Sequence, residues 1–163
     1  MQTPLVQFDA LRFAYGEDEI FEFGSAAIQP GEIVVMVGPS GAGKSTLMRL
    51  LRGELEPLSG SVSINGTPVE TRKKRLVLDE TKAGWVPQLD DLQHMLSIEE
   101  NIGHHILRLD EEERVARVEN LMQSMNLTPY AGQIIHTLSG GQRQRVSIAK
   151  AMAGNPPVLL MDE

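Results

Sequence analysis

The sequence contains no cysteine among its 163 residues, which excludes disulfides and thiolate-held metals. Aromatic residues are scarce, at 4%. No uninterrupted apolar run approaches the about 20 residues that a helix needs to span a bilayer. The N-terminus lacks the basic stretch and apolar core of a secretory signal. Positive charge is also short: the formal net charge of −7 argues against electrostatic binding to nucleic acid or an anionic membrane. The basic cluster Arg72-Lys73-Lys74-Arg75 is brief and flanked by acids, so it reads as a solvated loop. His94, His104, His105 and His136 show no recurring metal-ligand spacing. The adjacent pair at 104 and 105 would project in two directions from a helix, so surface positions are expected. A soluble, intracellular protein with one α/β domain is the expectation.

What is present is concentrated in one stretch. Gly38-Pro39-Ser40-Gly41-Ala42-Gly43-Lys44-Ser45-Thr46 fits G-x-x-x-x-G-K-[ST], the phosphate-binding P-loop. The apolar run Ile33–Val37 before it reads as a strand, and Ser45–Arg52 after it as a helix ending at Gly53. Glycines at 38, 41 and 43 permit backbone angles that a Cβ disfavours. Their N–H groups can then form a nest for anionic oxygens, and the helix start adds unpaired N–H groups and the positive end of its dipole. Lys44 would reach the β- and γ-phosphates, and the Ser45 hydroxyl would ligate Mg²⁺. The plainer alternative is a glycine-rich turn that binds nothing; the strand and helix on either side weigh against it.

Along the chain, Leu5–Ala14 nearly alternates and reads as an edge strand, with Ile20–Ile28 as a second antiparallel strand. Turns are expected at 15–19 and at Gln29-Pro30-Gly31-Glu32. Tyr15 would offer a ring for stacking on a nucleobase, although packing alone also explains a tyrosine there. Asn65-Gly66 marks a hairpin after Ser61–Ile64. The charged stretch 70–81 has no clear pattern, and Ala83–Pro87 is a short apolar segment ending at Gln88. Ser97-Ile98-Glu99-Glu100 is a capping box opening a helix to about Arg108. Asp110 starts a longer helix to about Met125, with Val115, Val118, Met122 and Met125 on one face. Leu138-Ser139-Gly140-Gly141-Gln142 precedes a helical run from Arg143 to Ala153. Val158–Met161 reads as a short buried strand ending in Asp162-Glu163. Beside a P-loop, Asp162 would hold Mg²⁺ and Glu163 would orient the attacking water. Gly140-Gly141 provides a second anion-binding helix start, which makes sense if it serves a partner's nucleotide.

The order of P-loop, Gln88, LSGGQ and Val-Leu-Leu-Met-Asp-Glu resembles the ATP-binding subunit of ABC transporters, from Leu5 to Glu163. The resemblance implies an α/β P-loop NTPase fold with a RecA-like core. An N-terminal antiparallel β-subdomain and an inserted α-helical subdomain would accompany it. Its divisions would be 1–88, 89–137 and 138–163. It also implies the site. Tyr15 would stack on adenine, and Gly38 to Thr46 would hold the phosphates. Gln88 would touch the metal or water. Ser139, Gly140, Gly141 and Gln142 would contact the ATP of an opposite subunit. Ser45, Gln88 and Asp162 would serve Mg²⁺, and Lys44, Gln88 and Glu163 would carry catalysis. ATP and Mg²⁺ are the implied ligands. A second ATP-binding subunit in a head-to-tail dimer and an integral membrane subunit docked on the helical subdomain are the implied partners, at the inner face of the membrane, with no nucleic acid. Family members continue past the catalytic glutamate into further core strands and a switch histidine, so a chain truncated after Walker B is expected. His136 precedes the signature and does not match that histidine. A soluble non-transport ABC ATPase, or a nucleotide-binding fragment without turnover, are the alternatives. The transported solute and its direction are not written in these residues.

Overall fold

The computed structural model describes residues 3–16, 19–71, 82–89 and 91–162. The basic cluster Arg72–Arg75, most of the charged stretch 70–81 and Glu163 lie outside the described residues. The chain divides into two compact units, residues 1–79 and 80–163.

In the first unit, β1 (Val6–Tyr15) is the strand on which the others are built. It pairs antiparallel with β2 (Glu19–Phe23) and β3 (Ala26–Ile28) on one side and β4 (Ser59–Ile64) on the other. The expected edge strand is therefore central. Alternation reports that one face is half-buried; it carries no information on how many backbone edges are paired. The expected single strand over Ile20–Ile28 is two, parted at Gly24-Ser25. The hairpin at Asn65-Gly66 is present, with φ of 52° and 73°. It leads to a short edge strand, β5 (Thr67–Pro68), where a proline costs no ladder bond.

The run Ile33–Val37 departs from expectation. It forms no strand and Ile33 and Val37 are 93% and 91% exposed. An apolar run becomes a central strand only when neighbours satisfy its N–H and C=O groups and cover its side chains. Among the described residues no ladder forms along it.

Helix α1 (Lys44–Leu51) follows the P-loop and buries Leu47, Leu50 and Leu51. It ends as expected at Gly53. There φ is +75°, Gly53 N donates to Leu50 O (3.0 Å) and Glu54 N donates to Arg49 O (2.9 Å). This is a Schellman motif, which satisfies two carbonyls of the last turn. A Cβ on Gly53 would lie 2.4 Å from Glu70 O, so glycine is required here by space as well as by φ.

The second unit has a two-stranded parallel sheet, β6 (Ala83–Val86) and β7 (Val158–Met161), in register Val86↔Met161. Strand β7 is not buried as expected. Leu159 and Met161 are 36% and 39% exposed, since β6 is its only strand partner among the described residues. Among the described residues its α-helices are α2 (Ile98–Gly103), α3 (Glu111–Ser124) and α4 (Gly140–Ala153), with short 3₁₀ turns between them. The helix expected to run from Ser97 to Arg108 gives way after Gly103 to a 3₁₀ turn over His104–Ile106. The core joins Ile98, Ile102, Leu121, Leu127, Ile135, Val146 and Ala149, all nearly inaccessible. On α3 the inward face is Val118, Leu121 and Met122; Val115, expected inside, is 48% exposed and Met125 only partly buried. Arg117 on α3 donates to Met152 O (3.0 Å) and Ala153 O (3.3 Å), closing the carbonyl end of α4.

Capping fixes where these helices begin. Ser97 Oγ accepts from Glu100 N (3.1 Å), and Ser97 N donates to Glu100 Oε2 (2.7 Å). Asp110 Oδ1 accepts from Glu113 N (2.8 Å). The Ser97 backbone N–H, aided by its hydroxyl, holds the Glu100 carboxyl below its usual range. A lowered carboxylate contributes stability above its unfolded pKa, and that contribution is lost as pH falls through the lowered folded value. Glu100→Gln is expected to flatten the acid limb of the stability profile, read as thermal midpoint against pH.

Asn101 is buried and makes three bonds. Its Nδ2 donates to Gln93 O (3.1 Å) and Ser97 O (2.9 Å), and its Oδ1 accepts from Gln93 N (2.8 Å). The loop that follows Gln88 is thereby tied to α2. Asn101→Ala leaves Gln93 N and O without this partner and is expected to cost about 2 kcal/mol in urea unfolding, the range for unpaired part-buried groups.

Candidate functional site

The first unit carries the phosphate loop. Gly41 and Gly43 have φ of +82° and +85°, the left-handed region in which a Cβ is strained. Gly38 differs from expectation: its φ is not positive, and a Cβ there would meet Ala42 Cβ at 3.5 Å, an ordinary contact. Gly43 is the N-cap of α1 and has a second constraint. A Cβ on it would lie 2.7 Å from Phe21 Cδ1. Ala42 N donates to Pro39 O (3.2 Å) and closes the loop, and Leu47 N donates to Gly43 O (2.8 Å) as the helix begins. No acidic residue stands in the first turn of α1, so the positive end of the helix is not offset from within.

Lys44 folds its side chain over the loop. Its Nζ donates to Gly38 O (2.8 Å) and Pro39 O (2.9 Å). An ammonium has three donors, so one remains after these two bonds. Pro39, Ser40, Gly41, Ala42 and Ser45 are exposed, while Thr46 is buried at the base of α1.

Tyr15 ends β1 and is 41% exposed. It stands edge-on to Phe13, with centroids 4.7 Å apart, and to Phe21 at 6.1 Å. Phe21 stacks on Phe23 at 6.3 Å, and both reach towards Gly43. Arg49 Nη1 donates to the Tyr15 hydroxyl (3.3 Å), while its Nε and Nη2 donate to Glu54 Oε1 at 2.9 and 2.7 Å. The Glu54 hydrogen bond leads in raising the Arg49 pKa above its ordinary value, so this guanidinium stays charged. Phe21, Arg49 and Glu54 were not singled out in the sequence. Glu54 was in principle legible, being the residue after a C-terminal glycine and thus turned back over the last helical turn.

In the second unit, Gln88 lies two residues beyond β6 and Asp162 one residue beyond β7. Asp162 N donates to Val86 O (2.9 Å), extending the ladder by a bond. The two are thus brought to the same carboxyl edge of a parallel pair, the edge at which α/β folds place their ligands. Each residue expected to serve Mg²⁺ carries an oxygen ligand: the Ser45 hydroxyl on the first unit, and the Gln88 amide oxygen and Asp162 carboxylate on the second. Oxygen ligands are the chemistry that Mg²⁺, a hard cation, prefers. Glu163 lies outside the described residues.

The LSGGQ stretch opens α4. Ser139 is its N-cap: Ser139 Oγ accepts from Gln142 N (3.3 Å) and Ser139 N donates to Gln142 Oε1 (2.7 Å). This reciprocal capping box was readable as S-x-x-Q and was missed. Helix α4 begins at Gly140, three residues before the expected Arg143. Leu138 is buried and Ser139, Gly140 and Gly141 are exposed. A Cβ on Gly140 or Gly141 would meet nothing within 4 Å, and neither has a positive φ.

A groove of about 780 Å³ also lies on this unit, floored by Leu96, Leu107, Val115, Val118 and Met122 and edged by Glu99, Glu100, Glu119, His104 and Arg114.

The sequence matches the family described as "ABC transporter" over residues 24–163. The chain belongs to the ABC transporter family. It is 38% identical to the cobalt import ATP-binding protein CbiO of Rhodobacter capsulatus, over 99% of this chain and 59% of that protein. It is 43% identical to the sulfate/thiosulfate import ATP-binding protein CysA of Gloeobacter violaceus, over 83% of this chain and 39% of that one. Among solved structures it is similar to cbiO1 of Clostridium perfringens, part of the ABC transporter complex cbiONQ. The TM-score is 0.84 at 27% identity, over 99% of this chain and 66% of that one. The fold is therefore the P-loop NTPase fold of that ABC protein. The chain spans about half the length of the curated relatives it matches, and no helix among its described residues is long and apolar enough to cross a membrane.

Proposed function

We propose that this chain is the nucleotide-handling part of an ABC transporter ATP-binding subunit, which binds and hydrolyses ATP and couples that cycle to solute movement by a separate membrane subunit. The observation that carries the reading is the loop at 38–46: two left-handed glycines, an uncompensated helix start and a lysine poised over the loop. In this reading the N–H groups of Gly41 to Ser45 and the Lys44 ammonium take the β- and γ-phosphates, and Tyr15 takes the adenine face. Ser45, Gln88 and Asp162 hold Mg²⁺, which when bound offsets phosphate charge. Glu163 orients the attacking water. The chain's contribution is positioning and charge neutralisation.

Two further parts support partners. Gly140 and Gly141 have no internal reason to lack side chains, which favours close approach by a second subunit's nucleotide in a head-to-tail dimer. The apolar floor of the groove, with Leu107 and Val115 exposed, favours docking of the membrane subunit on the helical unit, at the inner face of the membrane.

Thermal unfolding with added nucleotide tests the reading. A ligand that binds only the folded state raises the midpoint by mass action, and about a hundredfold excess over Kd is worth about 2.7 kcal/mol. ATP with Mg²⁺ is expected to raise it by several degrees, ATP with a chelator by less, and AMP not at all. Equal shifts for AMP and ATP would count against a triphosphate site.

A further inference from the structure

The phosphate loop and the base platform are joined by a charged relay that neither motif includes. We propose that Arg49 is a positioning residue that sets the Tyr15 ring for the nucleobase. This rests on the reading of Tyr15 as the base platform.

The geometry carries it in steps. Arg49 lies on α1, the helix whose start forms the phosphate site. The Schellman turn at Gly53 brings Glu54 back beneath Arg49 through Glu54 N to Arg49 O. Glu54 Oε1 then accepts from both Nε and Nη2 of Arg49, and its Oε2 lies 3.4 Å from Arg52 Nη1. A guanidinium held at two nitrogens by one carboxylate keeps its plane. Its remaining Nη1 points at the Tyr15 hydroxyl at 3.3 Å. The ring itself is guided on its other side by edge contacts to Phe13 and Phe21, and Phe21 abuts Gly43. Tyr15 is thus fixed to the same helix that presents the phosphate site, from both its hydroxyl and its ring. A half-exposed tyrosine without that tether samples several rotamers, and the base would have to select among them. The relay removes that cost for the base and does nothing for the phosphates.

That asymmetry gives the test. Equilibrium binding of ATP and of inorganic tripolyphosphate, each with Mg²⁺, is measured for the full chain and for Arg49→Met, Tyr15→Phe, the double variant and Tyr15→Ala. A single hydrogen bond at the long end of its range is worth about threefold in affinity. Arg49→Met and Tyr15→Phe are each expected to weaken ATP about threefold and leave tripolyphosphate unchanged. The double variant is expected to match the singles, because both remove one interaction. Tyr15→Ala is expected to lose more ATP affinity, again without touching tripolyphosphate. If Arg49→Met weakens both ligands alike, or the double variant is additive, the relay is refuted and Arg49 merely braces the helix. If Tyr15→Ala lowers the ATP-to-tripolyphosphate preference but Arg49→Met and Tyr15→Phe do not, the relay fails while the base platform stands. If Tyr15→Ala leaves that preference unchanged, the platform fails and the relay with it. Should Arg49→Met not fold, Tyr15→Phe alone decides, since it keeps every ring contact and deletes only the acceptor.

Discussion

Lys44→Ala is expected to weaken ATP binding by about a hundredfold and to abolish phosphate release above background. The side chain is the cation nearest the loop, and its Nζ already bridges Gly38 O and Pro39 O. On the proposed function, removing it takes away one charge-assisted contact to phosphate, together with the two bonds to Gly38 O and Pro39 O. Losing one partner of a close charge pair costs about 2–5 kcal/mol, and a hundredfold corresponds to about 2.7 kcal/mol. Stability should change little. Gly38 and Pro39 are exposed, so their carbonyls return to water. The measurement is a titration with ATP alongside thermal unfolding of both proteins. Unchanged affinity in a folded variant would remove Lys44 from the phosphate site. A midpoint lowered by many degrees would instead make it a structural residue of the loop.

The loop shows what a sequence can and cannot disclose. Its glycines are dictated locally: Gly41 and Gly43 by a positive φ. Those features survive into the structure because they depend on a few neighbouring bonds. Gly38 was grouped with them by motif alone, and its backbone is ordinary. The capped helices were legible for the same local reason, since Ser97 with Glu100 and Asp110 with Glu113 are each a contact over three residues. The failures are non-local. Strand β1 is central because β2, β3 and β4 all choose it, a decision made by residues as distant as Ile64, which pairs with Val6. Ile33–Val37 has the composition of a core strand, yet composition cannot supply the neighbours that a ladder needs. Val115 follows the helical period but sits at the border of the stripe, where a small rotation exposes it. The link from Arg49 to Tyr15 was not legible because the two lie in different segments and only the fold makes them adjacent.

The second large effect is expected where the chain itself feels nothing. Gly141→Leu should leave the thermal midpoint unchanged or slightly raised, while ATP turnover in the assembled transporter falls by about a hundredfold. The first half follows from space and propensity. A Cβ on Gly141 meets no atom within 4 Å, its φ is not positive, and it lies in the first turn of α4, where replacing glycine with a good helix former relieves up to about 1 kcal/mol. The Ser139–Gln142 capping box uses backbone and neighbouring side chains, so it persists. The second half follows from what the glycine leaves open. If a second subunit's nucleotide seats against this helix start, a leucine side chain holds the two surfaces apart, and a misplacement of about 1 Å costs about a hundredfold in a positioned reaction. ATP binding to the chain's own P-loop should be untouched, because that loop belongs to the other unit. The decisive comparison is therefore the same substitution read three ways: midpoint, ATP affinity and turnover. Loss of turnover with the first two preserved assigns Gly141 to a composite site; retained turnover would leave the helix start without a nucleotide partner and return the P-loop to acting alone.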